Sequence, residues 1–230
     1  MIQNNNVLNN LKIVKKEIRN ASKLSQLKKK INLVAVSKTI NEHFICEAAK
    51  SGQVSFGENK VQEALQKWPK IKEIYPKTIL HMIGPLQSNK VKDAIKIFDI
   101  IETVDREKVA IELKKNMDKH NTFPELYIQV NIGEEKQKSG CKPSDTKKFI
   151  ANCKDYGLKI TGVMAIPPQG EEPAPYFALL TNIAKESNLV NISMGMSKDF
   201  ETAIYLGSTS IRVGTRIFGE RKYNKKDIIR

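Results

Sequence analysis

Short apolar runs alternate with amphipathic segments along almost the whole chain. The runs are rich in Val, Ile and Leu, which is typical of buried β-strands. They predict strands at residues 31–38, 54–57, 78–83, 99–104, 126–132, 158–166, 190–193 and 210–213. The segments between these strands carry apolar residues every three or four positions, which is the spacing of a helix that buries one face.

The predicted helices have recognisable ends. Asn41 and Asp105 are residue types that favour helix N-termini, and Pro69 is predicted to stop a helix because proline lacks a backbone N–H. Residues 1–30 predict an amphipathic helix ahead of the first strand. The other helices are predicted at residues 41–50, 58–68, 88–98, 105–117, 143–156, 173–187 and 198–206.

This strict alternation indicates a parallel sheet in which helices form the crossover connections. Eight such units are the number that closes a sheet into a TIM-type (β/α)8 barrel, and a doubly wound open sheet is the alternative. We therefore expect an α/β fold with a single domain over residues 1–230, in which residues 1–30 form an extra N-terminal helix. In either fold, functional groups gather at the carboxyl ends of strands, where the pattern places Lys38, residues 57–59, His81, Asn131, Met164, Ser193 and Arg212.

The chain is strongly basic, with a formal net charge of +14 and a pI near 9.6. Basic surfaces attract polyanions, so a polyanion-binding module is one hypothesis. However, the lysines are spread over nearly every segment, and basic and aromatic residues are not interleaved as in a base-stacking surface. We interpret the densest basic segment, residues 12–30, as the solvated face of the N-terminal helix, and expect no specific nucleic-acid partner.

Other features favour a cytoplasmic protein. No apolar run approaches the roughly 20 residues that cross a bilayer. The first residues lack the basic-then-apolar layout of a secretory signal. Cys46, Cys141 and Cys153 are odd in number and lack metal-ligand spacing, which favours free thiols in a reducing compartment. We expect a monomer without a membrane segment or a metal site.

Two parts of the sequence suggest a common chemistry. Lys38 places a primary amine at the end of the first predicted strand, and residues 193–197 and 207–215 are rich in glycine and hydroxyl side chains. In barrels, the loops after the seventh and eighth strands often hold a phosphate. Gly214 allows the backbone to approach closely, and Thr215 offers an amide and a hydroxyl. An amine and a phosphate cradle together suggest a phosphorylated aldehyde cofactor.

Several motifs resemble those of the pyridoxal phosphate homeostasis proteins, a barrel family related to the N-terminal domain of alanine racemase. The matching strings, which span nearly the whole chain, are VAVSK (34–38), FGENKVQE (56–63), HMIGPLQSNK (81–90), KSG (138–140), GVM (162–164), SMGMS (193–197) and RVGT (212–215). The resemblance implies a TIM-type barrel that binds pyridoxal 5′-phosphate.

The resemblance also implies roles for individual residues. The cofactor-binding set that it implies is Lys38, Asn59, Met164, Ser193, Arg212, Gly214 and Thr215. Lys38 is implied to form a Schiff base with the cofactor. Ser193, Gly214 and Thr215 are implied to hold the phosphate.

Arg212 is implied to face the pyridine nitrogen, and Asn59 and Met164 to line the ring. A permanent cation beside this nitrogen disfavours its protonation, so the ring is a poorer electron sink than one that faces a carboxylate. From the residues alone, Met164 fits simple barrel packing equally well, and the pair Glu58 and Asn59 fits an ordinary helix cap.

The expected function is intracellular homeostasis of pyridoxal phosphate, in which the chain holds the cofactor and buffers it or transfers it to dependent apoenzymes. No dedicated reaction is expected. One alternative is a small amino-acid racemase that uses the same Schiff base, although alanine racemase adds a β-rich domain for which the match leaves no residues. The others are a lysine-dependent aldolase for a phosphorylated sugar and a polyanion-binding module built on residues 12–30.

Overall fold

The protein forms a closed barrel of eight parallel strands, in which neighbours in sequence are neighbours in space and the last strand pairs with the first. The computed structural model describes residues 6–25 and 30–220. The strands are β1 (Asn32–Val36), β2 (Ser55–Glu58), β3 (Ile79–Met82), β4 (Ile100–Val104), β5 (Glu125–Val130), β6 (Ile160–Ala165), β7 (Asn191–Ser193) and β8 (Ser210–Val213). The predicted TIM-type barrel is therefore confirmed.

Helices follow the strands around the outside of the barrel. They are α1 (Val7–Leu24), α2 (Glu42–Lys50), α3 (Val61–Ile74), α4 (Val91–Ile97), α5 (Glu107–His120), α6 (Thr146–Asp155), α7 (Ala174–Glu186), α8 (Phe200–Tyr205) and α9 (Thr215–Phe218). Short 3-10 turns at Ser88–Lys90 and Pro143–Asp145 precede α4 and α6.

The predicted N-terminal helix is confirmed over α1, where the Asn6 side chain accepts a hydrogen bond from the Asn9 N–H. Its buried face consists of Val7, Leu11, Val14, Ile18 and Ala21, and it packs against α2, α8 and α9. Of its basic residues, Lys12, Lys16, Arg19 and Lys23 are exposed, as predicted, whereas Lys15 is half-buried. Residues 26–29 lie outside the described part of the chain.

Alternate strand residues face two different environments. One set, which includes Leu33, Ala35, Ile101 and Ile211, joins the helices in the main hydrophobic core. The other set faces the barrel interior and includes a polar group on β3, β4, β7 and β8. The strands therefore insulate a small polar interior from the apolar layer outside it.

Two predicted helix ends are wrong. Helix α3 continues through Pro69, which is exposed, because Trp68 and Ile71 pack fully into the core on the opposite face. The carbonyl of Leu65, which loses its usual donor, belongs to an exposed residue where water can hydrate it. Asp105 does not cap α5, since the N-cap is Arg106 and the Asp105 carboxylate accepts a 2.6 Å hydrogen bond from the Arg106 side chain.

Candidate functional site

The carboxyl end of the barrel brings distant parts of the sequence together. Lys38 follows β1, Asn59 follows β2, and Gly214 and Thr215 follow β8. Strand β1 pairs with β2 on one side and with β8 on the other. These three loops therefore share one arc of the barrel mouth.

Close backbone approaches fix this arc. A Cβ atom added to Gly214 would lie 3.3 Å from the Val36 Cβ, and one added to Gly84 would lie 2.3 Å from the Asn59 carbonyl oxygen. Gly84 therefore has no space for a side chain where the loops after β2 and β3 touch. The loop after β7 has a similar constraint, because Gly195 has a φ of 93° and a Cβ there would lie 2.5 Å from the Ala203 Cβ.

The alternation along β1 sets the direction of Lys38. Val34 faces the barrel interior in register with Arg212, whereas Ser37 faces the helical layer, where its hydroxyl donates a 2.7 Å hydrogen bond to Glu58. The Ser37 N–H still pairs with the Gly57 carbonyl at 2.9 Å, so the strand geometry continues past Val36. The next residue, the half-buried Lys38, consequently falls on the interior side of the barrel mouth.

A polar cluster spans the barrel interior just below the mouth. The Arg212 Nη1 donates to the Ser193 hydroxyl at 2.5 Å, and this hydroxyl donates to Glu102 Oε2 at 2.6 Å. The other Glu102 oxygen lies 2.7 Å from His81 Nδ1. The Arg212 Nη2 also donates to the Ala165 carbonyl at 2.9 Å, so the guanidinium group is fixed in orientation.

The charged groups in this cluster shift one another's pKa values. Burial alone raises the pKa of Glu102, but the hydrogen bond and charge of His81, with the charge of Arg212, outweigh it and lower this pKa below its usual value. Burial lowers the pKa of Arg212, against the effect of Glu102 and Asp199. An arginine pKa starts far above neutrality, so Arg212 remains a cation in the barrel interior.

Ser193 lies deeper than Thr215. It pairs in register with Ser210, while the Gly195 carbonyl accepts from the Arg212 N–H. The chain after β7 therefore reaches the level of Gly214 and Thr215 only near Ser197. The Thr215 hydroxyl indeed donates to the Ser197 hydroxyl at 3.1 Å.

The sequence analysis therefore identified Thr215 as a hydroxyl of the barrel mouth and missed Ser197. The fully buried Ser193 hydroxyl already donates to Glu102 and accepts from Arg212. Its predicted role at a phosphate stays a prediction, and the hydroxyl that lies beside Thr215 at the mouth is that of Ser197. Glu102 was also missed, although a single acid inside the apolar strand β4 is itself a signal.

Met164 and His81 complete the interior. Met164 is fully buried on β6, in register with Ser193 and Gln129. His81 is bonded to a carboxylate, and its Nε2 atom is buried without a partner among the described residues. Buried polar atoms are rarely left unsatisfied, so this nitrogen is a candidate for a further polar contact. The alternative that Glu58 and Asn59 cap a helix is wrong, because the N-cap of α3 is Lys60.

Cavities of about 360 Å³ and 770 Å³ lie at the opposite end of the barrel, where the strands begin. The smaller is lined by residues such as Asn32, Tyr127 and Ser210, and the larger lies beside α1, with Lys15 and Arg19 in its wall. In barrels of this type the functional residues lie at the carboxyl end of the strands. This chain has Lys38, Ser197 and Thr215 at that end. We therefore assign the candidate site to the carboxyl end.

Comparison with known proteins gives a consistent picture. The family model for the alanine racemase N-terminal domain matches residues 10–222. The pyridoxal phosphate homeostasis protein of Aquifex aeolicus strain VF5 is 38% identical over 201 residues, which cover 83% of this chain and 87% of that protein. The protein of the same name from Vibrio cholerae serotype O1 is 36% identical over 230 residues, which cover 94% and 97%.

A solved structure is similar over most of the chain as well. PipY of Synechococcus elongatus PCC7942, with pyridoxal phosphate bound, is 34% identical and superimposes with a TM-score of 0.75. The match covers 88% of this chain and 99% of that structure. The chain thus corresponds to nearly the full length of a barrel that holds this cofactor.

Proposed function

Because this chain belongs to the family of pyridoxal phosphate homeostasis proteins, whose barrel matches the alanine racemase N-terminal domain, we propose that it binds pyridoxal 5′-phosphate reversibly at the barrel mouth. It would hold the cofactor and buffer it or pass it to apoenzymes in the cytoplasm. The observation that carries this proposal is the convergence of Lys38, Arg212 and the Ser197–Thr215 hydroxyl pair at one end of the barrel.

The residues present suit each part of the cofactor. When bound, pyridoxal phosphate supplies an aldehyde, a pyridine ring and a phosphate. Lys38 provides an amine that can condense with the aldehyde, releasing water. The hydroxyls of Ser197 and Thr215 can donate to phosphate oxygens, and the missing side chain of Gly214 lets the loop beside them pack closely against Val36.

Arg212 disfavours the reactions of this cofactor that need a protonated pyridine ring, such as transamination and decarboxylation. Its two terminal nitrogens are bonded to Ser193 and to the Ala165 carbonyl, so the cation cannot easily swing away. A fixed cation near the pyridine nitrogen keeps that nitrogen unprotonated. The chain thus withholds the electron withdrawal on which most reactions of this cofactor depend.

The names of the relatives, which are homeostasis proteins, weigh against the racemase alternative. Absence of a dedicated reaction is part of our proposal. Incubation with single-enantiomer alanine, followed by chiral chromatography, tests it. We expect no conversion above that of free cofactor, and steady racemisation would contradict the proposal.

Absorption spectroscopy tests the binding itself. The purified protein with added pyridoxal phosphate should show the visible band of a Schiff base, and Lys38→Ala should remove that band. Lys60→Ala is the matched control, because Lys60 follows β2 at the same end of the barrel and is exposed. Loss of the band in both variants, or in neither, would contradict the assignment of Lys38.

A further inference from the structure

A buried ionic network lies directly outside the turn that carries Lys38. At its centre is the Lys67 ammonium group of α3, which is 9% exposed as a residue. Its Nζ lies 3.0 Å from the Ser37 carbonyl oxygen, 2.8 Å from Glu58 Oε1 and 2.7 Å from Glu63 Oε1. All three ammonium hydrogens therefore have an acceptor.

The Glu58 carboxylate anchors this network in the helical layer. Its Oε1 accepts hydrogen bonds from the Ser37 hydroxyl at 2.7 Å and from Trp68 Nε1 at 3.1 Å, in addition to Lys67. Burial raises the pKa of Glu58, and the charge and hydrogen bond of Lys67 oppose that rise. Lys67 is thus the counterion on which the buried carboxylate depends.

The network holds the backbone on both sides of Lys38. Lys67 binds the carbonyl of Ser37, and Glu63 accepts a 2.5 Å hydrogen bond from the Thr39 N–H. Thr39 has a φ of 62°, a left-handed conformation that a β-branched residue rarely adopts. Such a conformation persists only where surrounding contacts impose it, and residues held in this way cluster at functional sites.

We propose that Lys67 is a positioning residue for Lys38, because it links Glu58 and Glu63 and fixes the turn that presents the Lys38 amine at the barrel mouth. This proposal rests on the proposed function, since it concerns how that amine meets an aldehyde. The step at stake is the attack of the Lys38 nitrogen on the aldehyde carbon. A C=N bond forms, and the aldehyde oxygen leaves as water with no change of oxidation state.

Removal of Lys67 should affect condensation more than the surrounding pocket. In Lys67→Met the Ser37 carbonyl loses one of its two donors and keeps the Ile40 N–H. Glu58 loses its counterion, and Glu63 is released from the position in which it binds Thr39. The turn can then adopt other conformations, and the amine meets the aldehyde less often. The Ser197 and Thr215 hydroxyls are contributed by other loops and should still bind a phosphate.

The experiment compares two ligands with each variant. Pyridoxal phosphate can condense with Lys38, whereas pyridoxine 5′-phosphate has the same ring and phosphate but no aldehyde. For Lys67→Met we expect the Kd of pyridoxal phosphate to rise about tenfold, because the released turn presents the Lys38 amine to the aldehyde less often. We expect the Kd of pyridoxine phosphate to change less than about twofold.

Lys72→Met is the matched control, since Lys72 lies on the same helix and pairs at 2.7 Å with Asp99, away from the turn. It should change neither Kd. If Lys67→Met weakened the binding of both ligands equally, Lys67 would have a general structural role and the proposal would be overturned. An unchanged Kd for both ligands would also overturn it. Failure of the wild-type protein to bind either ligand would instead contradict the proposed function.

A milder variant keeps the test decisive if Lys67→Met does not fold. The Glu63 side chain is 22% exposed, and Glu63→Ala removes the acceptor for the Thr39 N–H without stranding the buried Glu58 carboxylate. Like Lys67→Met, it should weaken the binding of pyridoxal phosphate and leave the binding of pyridoxine phosphate nearly unchanged. Unchanged affinity for both ligands in a folded Glu63→Ala protein would overturn the proposal.

Discussion

The hydroxyls of Ser197 and Thr215 lie 3.1 Å apart at the barrel mouth, although they are 18 positions apart in the sequence. They follow adjacent strands, β7 and β8, and neither is needed in the hydrophobic core. Two hydroxyls in contact at this end of a barrel form a compact set of donors for an anion.

We predict that the double variant Ser197→Ala, Thr215→Val weakens the binding of pyridoxal phosphate because it loses contacts with the phosphate group. The Kd should rise about tenfold or more, because two donors to a charged group are lost. The Kd for pyridoxal, which has no phosphate, should stay unchanged. Titration with both ligands checks the prediction, and equal losses for the two ligands would place these hydroxyls elsewhere in the site.

Ser193→Ala should act on stability instead. The variant leaves Glu102 and Arg212 without the hydroxyl that bridges them, so the free energy of unfolding should fall by about 2 kcal/mol. Urea denaturation measures this change. Ser197→Ala should leave the urea midpoint unchanged. The comparison tests whether Ser193 of the SMGMS motif acts on stability and Ser197 on ligand binding.

The pH dependence of the free energy of unfolding should reveal the ionisation of Glu102. Its pKa is lowered in the folded protein, so its stabilisation is complete above its ordinary pKa of 4.5 and is lost as the pH falls through the lowered folded value. Glu102→Gln should therefore cost about 3 kcal/mol at neutral pH, as is usual for one partner of a buried pair. That difference should shrink as the pH falls below 4.5.

Urea denaturation of the wild type and Glu102→Gln across this pH range provides the measurement. Glu125→Gln is a suitable control, because Glu125 is exposed at the start of β5. A difference between the wild type and Glu102→Gln that stays constant with pH would contradict the assigned ionisation of Glu102.

The three cysteines should be poorly reactive in the folded protein. Burial raises the pKa of Cys141 to about 11 and that of Cys153 to about 12, and burial with the nearby Glu42 raises that of Cys46. Because the thiolate is the reactive form, alkylation by iodoacetamide at pH 8 should be slow. Mass spectrometry should find faster labelling in urea, with Cys153 the most protected native thiol; equal rates with and without urea would refute this.

The barrel could be predicted from the sequence because each strand has its own apolar run, and the alternation with helices leaves few topologies. The end of α3 could not, because Pro69 normally stops a helix and only the burial of Trp68 and Ile71 shows why this one continues. Local residue preferences are overridden where a helix face already has a place in the core.

The candidate site was predicted in outline for a similar reason. Lys38 and the glycine-rich loops stand out as motifs, but the resemblance implied Ser193 as the phosphate-binding serine, and nothing in the sequence SMGMS places Ser197 beside Thr215. Only the register of β7 against β8 assigns one to the interior and the other to the mouth. The network of Lys67, Glu58 and Glu63 is likewise invisible to sequence patterns, because its members look like ordinary charges on a strand end and a helix.

The most direct test of the central proposal is chemical trapping. The wild-type protein is incubated with pyridoxal phosphate, reduced with borohydride, digested and mapped by peptide mass spectrometry, with the competing lysines of this basic chain as internal controls. We predict that the reduced adduct is found at Lys38 at one equivalent per chain, before other lysines are modified. An adduct spread over several lysines, or concentrated at a position other than Lys38, would contradict the account.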